Sequence, residues 1–170
     1  MYKFKTKPFE HQKDALKKCW NKKSFAVFAE MGTGKTKIAL DNACILYGKG
    51  SIDRLLVVAP KGTYMNWVDQ EIPVHVPDYI EKDVLAWKPN ITEKYELQLK
   101  AIRNGENFKL KIFVMNVESL STKKGCYHAK LFLSGKSLMI VDESTTIKHP
   151  QAKRTKNILE LSKEAPYKRI

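Results

Sequence analysis

The sequence predicts an α/β domain in which a mostly parallel central sheet carries helices on both faces. Short apolar runs rich in Val, Ile and Phe recur along the chain. Each run is continuous rather than alternating, which is typical of strands that are buried on both faces of a parallel sheet. The segments between them repeat their apolar residues at helical spacing, so strands and helices alternate.

The predicted strands occupy residues 25–29, 54–59, 83–87, 110–116 and 137–142. Apolar residues three and four positions apart predict helices in residues 9–20, 35–47 and 91–103. The prolines of "IPVHVPD" (72–78) predict a surface connection there. The chain contains neither a repeat nor a low-complexity linker, and its 170 residues match the size of one domain.

The composition favours a soluble, intracellular protein with no membrane partner. Hydrophobic residues make up 43% of the chain, which is typical of a globular protein. The charged N-terminus "MYKFKTKPFE" is not followed by an apolar signal core, and no apolar run approaches membrane-spanning length. The three cysteines and four histidines are scattered, so we predict neither a disulfide framework nor a metal cluster.

The net charge of +13 is concentrated at the two ends of the chain. Residues 1–23 hold eight lysines against two acidic residues, and residues 148–170 hold seven Lys and Arg against two. Such a clustered positive surface suits a polyanion, whose condensed counterions are released on binding. A general coding bias toward lysine explains the charge equally well, and both explanations stay open at this point.

The stretch "FAVFAEMGTGKTKIAL" (25–40) predicts a strand, a glycine-rich turn and a helix in direct succession. Gly32 and Gly34 allow the backbone to bend and to approach a ligand closely. Successive N–H groups and the helix N-terminus then form an anion site, where Lys35 can reach phosphates and the Thr36 hydroxyl can bind Mg²⁺. Ala29 stands at the first glycine position of the usual pattern, where a small residue suffices. We therefore predict a nucleotide site.

A second motif, "SLMIVDEST" (137–145), places Asp142 and Glu143 at the tip of a predicted buried strand. Carboxylates in such a position are costly unless they handle cations or protons. In a P-loop enzyme the first acid lies near Mg²⁺, and the second orients and deprotonates the attacking water. A helix cap at Asp142 would explain this motif alone, but its combination with the phosphate-binding turn favours catalysis.

Three stretches together resemble motifs I, Ia and II of superfamily 2 helicases and translocases, most closely the Swi/Snf-like branch with its phage-encoded members. They are "AEMGTGKT" (29–36), "VVAPKGTYMNWVDQE" (57–71) and "VDESTTIKHPQAKRTK" (141–156). Residues 7–12, "KPFEHQ", are similar to the aromatic-plus-glutamine motif that precedes motif I in this family. His149 stands where the family usually has Asn.

The resemblance implies a RecA-like P-loop lobe that uses ATP and Mg²⁺. Gln12 would contact the adenine edge, with Phe9 packing nearby. The remaining ATP contacts would come from Met31, Gly32, Thr33, Gly34, Lys35 and Thr36. The catalytic residues would be Glu143, Asp142 and Lys35, with Thr36 and Asp142 holding the metal, Asp142 through water.

The resemblance also implies contacts with nucleic acid, for which duplex or branched DNA is the first choice and RNA stays open. The residues implied are Pro60, Lys61, Thr63, Asn116, Lys148 and Arg154. A plain turn explains Asn116 equally well, and we expect Trp67 to pack in the core rather than to stack on a base. Lysines far outnumber the four arginines, which favours tracking of the backbone over reading of base edges.

On this interpretation residues 1–170 are the first RecA-like lobe of a DNA helicase or translocase, ending before motif III, and the second lobe is a partner supplied by the complete chain. We expect the lobe alone to bind nucleotide and to hydrolyse it slowly. The expected location is the cytoplasm, which would be that of the host for a phage protein. Two alternatives are a P-loop NTPase that acts as a nucleotide switch on a protein partner, and a basic binding module without catalysis.

Overall fold

A computed structural model describes residues 2–27, 32–105, 108–143 and 151–170 of the protein. Six strands form one sheet in the order β1-β6-β5-β2-β4-β3, and every neighbouring pair is parallel. The strands are β1 (Ser24–Phe25), β2 (Arg54–Ala59), β3 (Lys82–Ala86), β4 (Leu110–Asn116), β5 (Ser137–Val141) and β6 (Tyr167–Arg169). The predicted α/β class with a parallel sheet is confirmed.

Helices connect the strands and cover both faces of the sheet. They are α1 (Glu10–Cys19), α2 (Lys35–Gly48), α3 (Tyr64–Asn66), α4 (Ile72–His75), α5 (Glu93–Asn104), α6 (Lys123–Leu133) and α7 (Lys153–Glu164). A π-helical turn (Trp67–Glu71) joins α3 to α4, and a 3₁₀ helix (Val117–Ser121) precedes α6. Within the described ranges, no helix combines the length and the apolar character needed to cross a membrane.

The central strand β2 shows why the apolar runs are continuous. Leu55 and Val57 face a core that contains α2, whereas Leu56 and Val58 face a second core built with α5, α6 and α7. All four side chains are fully buried. Because successive strand residues point to opposite faces, burial on both faces requires an apolar residue at every position.

Helix α2 is buried on nearly every side, although its predicted apolar stripe was that of an amphipathic helix. One side packs on the sheet, and the other side is covered by α1, whose Leu16 and Cys19 contact Ile38. This second cover explains why α2 can bury polar residues as well. Asn42 is fully buried, and its side-chain amide donates to the Trp20 carbonyl at the end of α1 over 3.1 Å.

A buried polar cluster holds the N-terminal segment against α2. Lys37 and Asp41 form an ion pair at 2.7 Å with side chains that are 7% and 0% exposed. The Tyr2 hydroxyl donates to Asp41 Oδ1 at 2.7 Å, and Lys37 Nζ donates to the Thr6 carbonyl at 3.0 Å. Burial is the main cause that raises the pKa of the Tyr2 hydroxyl, and the neighbouring Cys44 and Asp41 raise it further. The hydroxyl therefore stays protonated and donates.

The prediction of a surface connection at residues 72–78 is wrong. Residues Ile72–His75 form α4, and Ile72 and Val76 are buried in the core. Pro73 lacks the N–H that an α-helical ladder would require. Pro73 lies in the first turn of α4, where this N–H is not needed, and in the π-helical turn before it the Ile72 N–H donates to the Trp67 carbonyl five residues earlier.

Strand β6 lies inside the sheet, between β1 and β5. Its Arg169 is 1% exposed. The guanidinium donates to Asn42 Oδ1 at 2.7 Å and to the Cys19 carbonyl at 2.9 Å. Arg169 therefore links β6 to both α1 and α2, a role that the sequence pattern does not indicate.

Candidate nucleotide site

The candidate residues converge at one edge because all six strands are parallel. Strands β2, β4 and β5 end there at Ala59, Asn116 and Val141. After β2 the chain passes to the face that carries Trp67, whereas α7, the first described helix after β5, lies on the other face. Neighbouring strands whose connections part in this way leave a crevice at the carboxyl edge, where ligands bind in open α/β sheets.

The glycine-rich turn before α2 has the backbone geometry of an anion site. Gly32 and Gly34 both have φ of 80°, a left-handed conformation that favours glycine. Gly34 is the N-cap of α2, and Lys35 and Thr36 occupy its first turn, which contains no acidic residue. The helix N-terminus therefore keeps its positive field for a ligand. Met31, also predicted at this site, lies outside the described residues.

The N-terminal end of α1 contacts the glycine-rich turn directly. Gln12 Nε2 donates to the Thr33 carbonyl at 3.1 Å, and the His11 ring nitrogen Nε2 lies 3.0 Å from the same oxygen. Gln12 Oε1 accepts the Phe9 N–H at 3.0 Å. Gln12 is only 3% exposed, so both ends of its amide already bond within the protein. Its contact with the adenine edge stays a prediction.

The left-handed backbone of Gly34 favours glycine, and the Gln12 side chain lies directly against this position. A Cβ atom built on Gly34 would overlap the Gln12 amide nitrogen, whereas one built on Gly32 would meet nothing within 4 Å. The two glycines therefore have the same backbone conformation but different surroundings. The close approach at Gly34 allows α1 to dock against the turn.

Phe9 presents an aromatic face beside this turn. Its side chain is 70% exposed and stacks on the His11 ring, with centroids 5.8 Å apart and planes inclined by 12°. An exposed ring of this size next to Gln12 is suited to stacking on a flat ligand. The place of Phe9 near a base stays a prediction.

The two acidic residues stand at the tip of β5 in different environments. The Asp142 N–H donates to the Val58 carbonyl at 2.8 Å, and its Oδ2 accepts the Trp67 indole N–H at 2.9 Å. Glu143 is exposed and has φ of 52°, a left-handed conformation that is uncommon outside glycine. Backbone strain of this kind clusters at functional sites.

The residues predicted to contact nucleic acid lie in three settings. Pro60, Lys61 and Thr63 form a turn in which the Thr63 N–H donates to the Pro60 carbonyl at 2.9 Å, and the Lys61 side chain is exposed. Asn116 is 9% exposed, and its Oδ1 caps the 3₁₀ helix by accepting the Ser119 N–H at 2.8 Å. This cap fits the plain-turn explanation of Asn116, and its contact with nucleic acid stays a prediction.

Lys148 and His149 lie outside the described residues. Arg154 is in the first turn of α7 and is half-buried. Its Nε atom is buried and makes no hydrogen bond within the part of the chain that the structure describes. No group of three or more His, Cys, Asp and Glu that could hold a metal occurs among the described residues.

Sequence reasoning correctly placed Trp67 in the core, where it is 3% exposed, but missed its hydrogen bond to Asp142. It also missed the contact of His11 with the Thr33 carbonyl. Neither pairing produces a signal in the sequence, because the partners are far apart along the chain. For the contact of His11 with Thr33 there is one indirect indication, which is that His11 stands next to Gln12 at the start of a helix that docks on the turn.

Comparisons with known proteins agree with this geometry. A family model described as the type III restriction enzyme, res subunit, matches residues 5–167. No curated protein sequence matches the chain. Among solved structures, the fold is similar to that of the SWI2/SNF2 ATPase core of Sulfolobus solfataricus, solved in complex with dsDNA, with a TM-score of 0.71 and 18% identity. The match covers 99% of this chain and 32% of the Sulfolobus chain. The predicted RecA-like fold is thereby confirmed.

Proposed function

Because the chain belongs to the family of the type III restriction enzyme res subunit, as a RecA-like lobe of the superfamily 2 helicase type, we propose that it couples ATP hydrolysis to movement on DNA. The observation that carries the proposal is the convergence at one sheet edge of the glycine-rich turn, the α1 terminus and the Asp142–Glu143 pair. Duplex or branched DNA is the preferred substrate. Its support is the Sulfolobus core, which was solved with dsDNA.

ATP fits the carboxyl edge of the sheet as the ligand. The turn at Gly32–Gly34 and the α2 N-terminus would hold the phosphates, and Lys35 would neutralise the β- and γ-phosphate charge. Strand β5 stands two strand spacings from β1, which is about 10 Å. A triphosphate can span that gap, so its γ-phosphate would reach Asp142 and Glu143 while the adenine lies near Phe9 and Gln12.

Mg²⁺ fits the donors present at this edge. A carboxylate and a hydroxyl, Asp142 and Thr36, are the oxygen ligands that Mg²⁺ takes alongside phosphates and water. When bound, the ion would neutralise charge on the phosphate oxygens.

Glu143 is the proposed general base. Its exposed carboxylate follows Asp142 directly, and its left-handed backbone turns the chain out of β5 at the crevice. In this position it would accept a proton from the water that attacks the γ-phosphate. General-base catalysis of this kind contributes about 10² to 10⁴ in rate.

We propose that Pro60, Lys61, Thr63, Asn116, Lys148 and Arg154 contact the sugar–phosphate backbone, and that residues 1–170 are the first of two RecA-like lobes. The chain spans about a third of the Sulfolobus chain it resembles. Two of its arginines are bound internally, since Arg54 donates to the Phe132 and Ser134 carbonyls and Arg169 is buried. A second lobe would supply the arginine that stabilises the transferred phosphoryl group.

The test is ATP hydrolysis by the complete protein alone and with duplex, single-stranded and branched DNA or RNA. We expect duplex or branched DNA to stimulate hydrolysis, and Lys35→Ala to abolish it in every condition. Hydrolysis that is indifferent to all nucleic acids would instead favour a nucleotide switch acting on a protein partner. A protein that binds DNA but never hydrolyses ATP would be a binding module without catalysis.

A further inference from the structure

Trp67 contacts Asp142, the first residue of the acidic pair, and lies on the face of the sheet opposite to α7. Its indole ring is 3% exposed and packs in the core with α2, and its Nε1–H donates to Asp142 Oδ2 at 2.9 Å. A buried indole N–H needs an acceptor, and a carboxylate is a strong one. The bond joins residues 75 positions apart, so it is a product of the fold rather than of local structure.

The π-helical turn is what directs Trp67 to this place. With the turn five residues wide, Trp67 and Ile72 lie on the same buried face, and Val76 follows one α-helical turn later. A regular α-helical ladder would place Glu71 below Trp67 instead. Glu71 is half-buried, and its carboxylate oxygen Oε2 lies 3.4 Å from the His75 ring nitrogen Nε2. The extra residue of the π-helical turn therefore keeps the Trp67 indole on the core side, while Glu71 stays at the border with solvent.

We propose that Trp67 is a positioning residue for the metal site, and that it holds the Asp142 carboxylate in the orientation in which it receives the nucleotide-bound cation. The inference rests on the proposed function. A carboxylate has two oxygens in one rigid plane, so a donor that fixes Oδ2 also fixes the direction of Oδ1. Outer partners of metal ligands act in this way, and their loss typically lowers metal affinity about 10- to 100-fold.

The first experiment measures Mn²⁺ binding to the complete protein by electron paramagnetic resonance, in the presence of a non-hydrolysable ATP analogue. Trp67→Phe keeps an aromatic ring in the core but removes the N–H donor. We expect about 10-fold weaker Mn²⁺ binding or more, with affinity for the analogue without metal unchanged. The matched control is Trp87→Phe, because Trp87 is equally buried at 3% and lies in the other core.

A second measurement does not depend on the Trp67 variant folding. The three tryptophans of residues 1–170 contribute three indole N–H resonances to a ¹H–¹⁵N spectrum of the complete protein. Asp142→Asn replaces the charged acceptor by a neutral one of the same shape, which should shift the Trp67 resonance upfield and leave those of Trp20 and Trp87 in place. Mn²⁺ affinity that is equal in wild type and Trp67→Phe, or a Trp67 resonance unmoved by Asp142→Asn, would overturn the proposal. A wild-type protein that binds neither the analogue nor Mn²⁺ would overturn the proposed function instead.

Discussion

At the scale of single residues, the site depends on glycines that differ in their surroundings. Gly32 and Gly34 share the same positive φ, but only Gly34 has the Gln12 amide directly against its α-carbon. An L-residue in this conformation costs roughly 1–2 kcal/mol of strain. The additional cost at residue 34 comes from separating α1 from the turn, so the two positions can be told apart by experiment.

We expect Gly32→Ala to lower the free energy of unfolding by about 1–2 kcal/mol, and Gly34→Ala to lower it by more. Urea denaturation measures both. In the double variant Gln12→Ala/Gly34→Ala the overlap is removed, so part of the loss caused by Gly34→Ala should disappear. Equal losses at the two glycines would show that Gln12 does not lie against residue 34.

Lys35 and Glu143 would both lie near the proposed γ-phosphate, but their substitutions should have different effects. Lys35→Ala should weaken ATP binding, because it removes a cation from the phosphates. Glu143→Gln should leave binding nearly intact and reduce turnover by about 10² to 10⁴. Calorimetric titration with ATP and steady-state hydrolysis in the complete protein separate the two effects. Normal turnover by Glu143→Gln would remove Glu143 from the role of general base.

At the scale of elements, the packing of α2 decides how the site is held. Helix α2 carries the phosphate-binding turn at its N-terminus, and the buried Lys37–Asp41 pair on this helix ties down residues 2–6. Those residues lead directly into α1, which brings Gln12 to the turn. The N-terminal segment is therefore part of the support of the site rather than an appendage.

Asp41→Ala should destabilise the protein by about 3–5 kcal/mol, because it leaves the Lys37 ammonium buried without its counter-charge. The matched control is Asp14→Ala on α1, whose pair with Lys17 is exposed and should contribute less than about 1 kcal/mol. Thermal and urea unfolding of both variants give the comparison. Similar losses in the two variants would mean that the Lys37–Asp41 pair is solvated like a surface pair.

The bounds of β2 and β4 were predictable to the residue, and long-range polar pairs were not. The bounds of β2 and β4 match the predicted runs because every side chain in them is apolar apart from Arg54, Lys111 and Asn116 near their ends. By contrast, Lys37 and Asp41 have the spacing of an ordinary exposed helical ion pair, and only the covering N-terminal segment makes them buried. Pro73 indicated a loop because the sequence does not show that it lies in the first turn of a helix, where its missing N–H is not needed.

The candidate site was predictable in its motifs and not in its connections. Residues 32–36 and 142–143 were identified from local patterns, since each pattern follows from what a strand end or a helix start can do. The bonds of Trp67 to Asp142 and of Gln12 to the Thr33 carbonyl depend on how helices pack across the sheet. A sequence without comparison to homologues contains no direct record of such pairs.

At the scale of the whole molecule, the structure divides the positive charge between two edges of the sheet. Lys61 follows β2 at the carboxyl edge, beside the candidate site. Lys22 and Lys23 precede β1 and lie toward the amino edge, and so does Lys49, whose ammonium is 4.8 Å from the Trp20 ring centroid at the end of α1. A DNA backbone that follows the carboxyl edge would contact Lys61 and leave the lysines of the amino edge outside the interface.

Neutralising Lys61, Lys148 and Arg154 together should therefore flatten the salt dependence of DNA binding by the complete protein. Each lost phosphate contact reduces the slope of log K against log salt by about 0.9 on duplex DNA. The control neutralises Lys22, Lys23 and Lys49, which removes the same charge from the amino edge and should leave the slope nearly unchanged. Equal slopes in the two triple variants would favour the alternative explanation, in which the basic residues reflect a general coding bias toward lysine.

The most direct test of the account is a crystal structure of the complete protein with Mg²⁺ and a non-hydrolysable ATP analogue. We expect the phosphates against the backbone of residues 32–36, the metal ion beside Thr36 and Asp142, and the adenine next to Phe9 and Gln12. The Trp67 indole should still donate to Asp142. A nucleotide bound away from the carboxyl edge of the sheet, or phosphates that do not contact the turn at Gly32–Gly34, would contradict the account.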